Sequence, residues 1–180
     1  MNPRKLKQKI AERAEQNAKL LHWKLEGACL LYAMAVVDFL SAEGVYTILQ
    51  AGTCLWRCLP RDQDDGDAQT LTHFGYDWKN NDPVITKQRL SMGMLPEMHV
   101  WAACPGESLL IDAATRHFPG QCKQLTGMEW RSPRPPDCLW VETNKGKWEV
   151  DAIYHPEFFA CGITVAIEKR TRLVLEALGA

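Results

Sequence analysis

Several features are missing from this chain of 180 residues. No apolar run approaches the roughly 18 residues that a membrane span needs. The first twenty residues contain no apolar core of the kind a secretory signal carries. A cytoplasmic protein with no membrane partner is therefore expected. Neither sign of charge prevails, since 21 basic and 22 acidic residues give a formal net charge of -1. Nucleic acid is not an expected partner, because phosphate binding draws on a basic surface. The basic cluster Arg4, Lys5, Lys7 and Lys9 is followed by Glu12 and Glu15 and reads as the solvated face of a helix. Internal repeats and low-complexity segments are absent. The seven cysteines show no framework spacing, so free thiols are expected.

What is present fits one domain over residues 1–180, with no staple needed at this size. Residues 3–25 read as a helix on the stripe Leu6, Ile10, Ala14, Ala18, Leu21 and Leu25, stopped by Gly27. Residues 29–43 read as a second helix, apolar on most sides and therefore central, with Gly44 as its stop. Strand character follows in Val45 to Ala51, a bend at Gly52, and Cys54 to Leu59. An acidic loop occupies 61–67, and Thr70 to Trp78 reads as a further strand, whereas 79–95 gives no clear pattern. Met98 to Cys104 and Leu109 to Asp112 form a hairpin around Pro105-Gly106-Glu107-Ser108. Residues 131–136 read as an irregular surface loop. A second hairpin is expected from Leu139 to Thr143 and Trp148 to Tyr154, then a helix from Pro156 to Leu178. Helices, then strands, then a closing helix is an α+β order.

Three residues in this layout suggest chemistry. Cys29 begins a helix directly after Gly27 and Ala28, where the positive end of the helix dipole favours an anion. Its own N–H is free there to donate to an oxyanion. His99 lies on one strand of the first hairpin and Asp112 ends the other, so the turn brings them together. A carboxylate that closes an apolar strand needs a partner, and an adjacent imidazole supplies one. The carboxylate then fixes the ring's tautomer and aims it at a thiol. Taken singly, each has a plainer reading: a packed cysteine, a satisfied core histidine, and a cap for the turn Ala113-Ala114-Thr115.

Gly27-Ala28-Cys29 before a long apolar helix, then Met98-His99-Val100-Trp101, then Leu110-Ile111-Asp112-Ala113-Ala114-Thr115 resembles the transglutaminase-like branch of the papain-like superfamily. The resemblance covers about residues 22–118 and leaves the C-terminal third unmatched. It implies a helix-borne nucleophile packed on an antiparallel sheet that carries His and Asp. It also implies acyl transfer through a thioester, with no cofactor and no metal. The implied substrate is a peptide, a protein or a small amide or thioester; oligomeric state is left open. A catalytically inactive member that binds a peptide or partner protein in the same cleft is the alternative. Papain-type enzymes place a glutamine shortly before the nucleophile, whereas here the nearest upstream glutamine is Gln16. Transglutaminases can use an aromatic donor instead, which makes the Trp23 indole an oxyanion candidate beside its plainer role as a core tryptophan.

Other residues carry weaker signals. Trp101 shares a strand face with His99 and either shields it from water or simply packs. Cys54, Cys58 and Cys104 with a histidine suggest zinc only loosely, because they lack the close pairs of structural zinc sites. His73, His117 and His155 are isolated.

Overall fold

The computed structural model describes residues 3–24, 28–60, 72–78, 84–85, 87–88, 98–143 and 152–180. Among the described residues the fold is α+β, with four main helices and a six-stranded antiparallel sheet. Helix α1 spans Pro3–Leu20 and α2 spans Cys29–Ala42. The strands are β1 (Ile48–Arg57), β2 (His73–Tyr76), β3 (His99–Cys104), β4 (Leu109–Asp112), β5 (Leu139–Glu142) and β6 (Ala152–Pro156). Helix α3 is Phe118–Thr126 and α4 is Phe158–Ala177. Among the described residues, no helix is long and apolar enough to cross a membrane.

Both leading helices end in the same motif. Gly44 takes the left-handed position after α2 (φ 80°), where its N–H bonds Ser41 O while Val45 N–H reaches Leu40 O. After α1, His22 occupies that position with φ 54°, and Trp23 N–H bonds Ala18 O at 2.8 Å. The first helix therefore stops at Leu20, earlier than the apolar stripe suggests. The backbone reverses at a histidine, where a polar side chain tolerates the left-handed region better than a branched one.

Strand β1 runs without interruption through Gly52, where the sequence suggests a bend. Gly52 pairs at once with His99 of β3 and Pro156 of β6. A Cβ there would lie 2.3 Å from the His155 carbonyl oxygen, so this glycine admits the close approach of β6. The hairpin of β3 and β4 forms as the sequence indicates, with Ala102 opposite Ile111 and Cys104 opposite Leu109. Among the described residues, β5 and β6 do not pair with each other as the expected second hairpin would. β5 pairs with β4, whereas β6 crosses to pair with β1. Each strand extends a ladder that already exists, and the turn at 144–147 lies outside the described residues. Pro156 ends β6 instead of opening the last helix, whose inward side is Ala160, Thr164, Thr171 and Leu175. Val174 and Leu178, expected to continue its apolar side, are exposed.

Alternation along the strands gives the sheet two different faces. Ala51, Val100, Ala102, Cys104 and Ile111 join the cores of α1 and α2 in one cluster. Cys54, Trp56, Trp101, Leu110 and Leu139 join Phe118 and Cys122 of α3 in a second. The acidic loop at 61–67 and most of 79–97 lie outside the described residues.

Candidate active site

His99 opens β3 and Asp112 closes β4. Continuing the register of that hairpin sets Asp112 opposite Trp101 and diagonal to His99 on one face. His99 Nε2 and Asp112 Oδ2 are 2.7 Å apart, and each residue is only 1% exposed. Asp112 Oδ1 accepts the Ala114 N–H at 2.9 Å, so the carboxylate also caps the turn that follows it. Asp112 thus both pairs with the imidazole and caps the turn.

The ring's other nitrogen, Nδ1, is buried without a hydrogen-bond partner. Because Nε2 is engaged by Asp112, Nδ1 is the nitrogen left to serve a thiol. Burial alone pushes the His99 pKa down, but the Asp112 carboxylate and then the Cys29 side chain carry it up to about 10. The buried carboxylate thus favours a proton on the ring. Cys29 sits at the first position of α2 and is 8% exposed. The preceding Ala28 supplies no side-chain cap, so the leading N–H groups of α2 have no side chain competing for them.

Aromatic rings enclose the histidine. Tyr76 stacks on it at 5.6 Å and Trp101 at 6.3 Å, while Phe118 meets it edge-on at 5.1 Å. Trp101 is fully buried, and its indole donates to Gln50 Oε1 at 3.0 Å. It shares the face of His99, as strand alternation requires. Trp23 packs against the core cluster that also contains Cys29. It is half-buried against the cluster formed by α1 and α2, directly after the α1 terminus. Among the described residues its indole makes no hydrogen bond that would tie it to this site.

Two close neighbours carry no mark in the local sequence. Cys54 and Tyr154 face each other across the β1–β6 ladder. Tyr154 Oη donates to Asp112 Oδ2 at 2.6 Å and accepts the Trp56 indole N–H at 3.1 Å. The Cys54 thiol, the His99 imidazole and the Asp112 carboxylate lie within 4.8 Å of one another. Nothing local marks these residues. Tyr154 and Asp112 are 42 positions apart, and only the sheet joins them. Burial, then repulsion from Asp112, push the Cys54 thiol well above its usual value, so it stays protonated and inert.

Cys54, His99 and Asp112 include donor types that zinc accepts. The 2.7 Å contact between His99 Nε2 and Asp112 Oδ2 already engages two of those donors with each other. The looser zinc grouping considered from sequence is split, with Cys54 and Cys58 in one cluster and Cys104 in the other. All seven cysteines are free thiols. His117 is half-buried and hydrogen-bonded to Tyr32 Oη at 3.0 Å; Tyr32 lies one turn beyond Cys29 on α2. His155 pairs with Glu157 at 3.0 Å, and His73 meets the Thr72 hydroxyl at 3.0 Å. No family model, curated protein or solved structure matches the chain.

Proposed function

We propose that this protein is a thiol-dependent acyl-transfer enzyme, a peptidase, amidase, deamidase or transglutaminase-like protein, on a papain-like or transglutaminase-like fold. Cys29 is the nucleophile, His99 the acid and base, and Asp112 the group that orients the ring. The observation that carries this reading is the buried His99–Asp112 pair, with the opposite ring nitrogen unpartnered and the Cys29 side chain acting on the ring.

The chemistry follows from that arrangement. The Cys29 proton passes to His99 Nδ1, and the thiolate attacks a carbonyl carbon. The leading N–H groups of α2 face the developing oxyanion, with the Trp23 indole as a further candidate donor. The imidazolium gives its proton to the leaving amine or thiol, and a thioester remains on Cys29. Water or an amine, deprotonated by His99, then releases the acyl group. The substrate is an amide or thioester of a peptide, a protein or a small molecule, and the residues need no cofactor for these steps.

A second reading rests on the low exposure of Cys29, which suits a relative that binds a peptide or partner protein without turnover. A limiting dose of iodoacetamide at about pH 6, where ordinary thiols are protonated, separates the two. The enzyme reading expects Cys29 to be alkylated first, ahead of the more exposed Cys161, and expects His99→Ala to abolish that preference. Labelling spread over several cysteines, or unchanged by His99→Ala, favours the binding module. Mass spectrometry of lysate proteins before and after incubation then distinguishes cleavage, deamidation and cross-linking.

A further inference from the structure

The Asp112 carboxylate collects three donors, and only two belong to its own hairpin. The third comes from the C-terminal part of the chain: Tyr154 Oη, 2.6 Å from the same Oδ2 that His99 uses. The β1–β6 ladder fixes this contact. Tyr154 lies opposite Cys54, and Trp56, two residues along β1 and on the same face, donates its indole N–H to the phenol oxygen. The phenol ring also meets Trp101 edge-on at 5.2 Å and His99 at 6.4 Å, which holds its orientation.

We infer that Tyr154 is a positioning residue that sets how tightly the His99–Asp112 pair holds its proton, by donating a hydrogen bond to Asp112 Oδ2. This rests on the reading that the pair serves Cys29. A hydrogen bond to a carboxylate strengthens as the carboxylate's charge is left less neutralised. With His99 protonated, the imidazolium largely answers the Asp112 charge; with His99 neutral, it does not. The Tyr154 donor therefore stabilises the deprotonated pair more than the protonated one and eases release of the proton. In acyl transfer that proton goes to the leaving group, and a ring that holds it too tightly is a poor acid. Burial, then the Asp112 carboxylate, raise the phenol well above its ordinary value, so it remains a donor throughout the working range. Trp56, by donating to the phenol oxygen, polarises the O–H and makes it a stronger donor.

The test follows the His99 ring by NMR in the isotope-labelled full chain, as wild type, Tyr154→Phe and Trp56→Phe. In Tyr154→Phe the His99 titration moves to higher pH, by about tenfold in proton affinity. The His99 Nε2–H resonance moves further downfield, because Oδ2 is no longer shared. In Trp56→Phe both move in the same direction by less. A folded Tyr154→Phe variant that melts earlier but titrates as wild type has lost only packing, and that result overturns the inference. So does an unmoved or lowered titration in Trp56→Phe, the deciding variant should Tyr154→Phe fail to fold. Iodoacetamide mapping of the wild-type sample reports separately on Cys29. Unselective labelling there sinks the triad and leaves the Tyr154 measurement standing as a statement about the pair.

Discussion

Replacing Asp112 by Asn removes one charge and one acceptor from a fully buried position. The Asn carbonyl can take over the bond from the Ala114 N–H, now made by Oδ1 at 2.9 Å. Its amide nitrogen then faces His99 Nε2 and the Tyr154 hydroxyl, the donors that reach Oδ2 at 2.7 Å and 2.6 Å. An amide nitrogen accepts from neither. His99 must turn Nε2 into an acceptor and carry its proton on Nδ1, the nitrogen that the mechanism needs unprotonated. Such a tautomer lowers turnover by about 10⁴-fold in serine proteases, and a loss of that order is expected here. Hydrogen bonds to a charged group contribute about 1.5–3 kcal/mol each. With two of them weakened and one replaced, destabilisation by about 3 kcal/mol is reasonable, against the 3–5 kcal/mol of leaving a buried charge unpaired. For a chain of this length that lowers the melting temperature by about 6–12 °C, which a folded variant survives. Calorimetry reads the stability, and the alkylation rate of Cys29 against pH reads the site without a known substrate. An Asn variant that is folded and keeps wild-type selectivity for Cys29 would refute the orienting role of Asp112.

Three further outcomes are expected. Because the His99 pKa rises from 6.5 to about 10 on folding, the folded state binds more protons than the unfolded one between those values. The pair's stabilisation is therefore complete below pH 6.5 and lost as pH rises through about 10, with a slope of up to about 1.4 kcal/mol per pH unit. Urea titrations at several alkaline pH values should show the decline in wild type and a flatter profile in Asp112→Asn. Gly52→Ala places a methyl 2.3 Å from the His155 carbonyl oxygen, so a loss of about 3 kcal/mol or more is expected in denaturant melts; a near-neutral result would mean that β6 can move away from β1. Once a substrate is found, Trp23→Phe should lower kcat more than it raises KM if the indole serves the oxyanion, whereas unchanged kcat returns Trp23 to its packing role after α1.

How much of this could be read from the residues alone depends on the range of the interaction. The hairpin of β3 and β4 was legible because its turn lies between two short apolar runs. His99 and Asp112 were legible as a pair because the period-two geometry of strands joins them across that turn. The central position of α2 followed from a helix apolar on most sides, and its end from Gly44. The α1 terminus was misjudged because the apolar stripe continues beyond the residue where the chain reverses. A histidine at a left-handed position carries little sequence signal. The partners of β5 and β6 were misjudged for a different reason. Adjacent strands separated by a polar turn suggest a hairpin, yet pairing depends on which sheet edges are open, and local sequence does not encode that.

The sequence by itself determined a helix-start cysteine, a His–Asp strand pair and an α+β order, all through contacts within one element or across one turn. Only the tertiary structure decided what surrounds that pair. Tyr154 reaches Asp112, and Trp56 reaches Tyr154, because β6 crosses to β1, and Cys54 comes within 4.8 Å of His99 and Asp112 because β1 takes partners from distant parts of the chain. The physical reason is that buried charge must be satisfied by whatever donors the fold brings near. Those donors are recruited through space, from segments whose own patterns point only to ordinary strands.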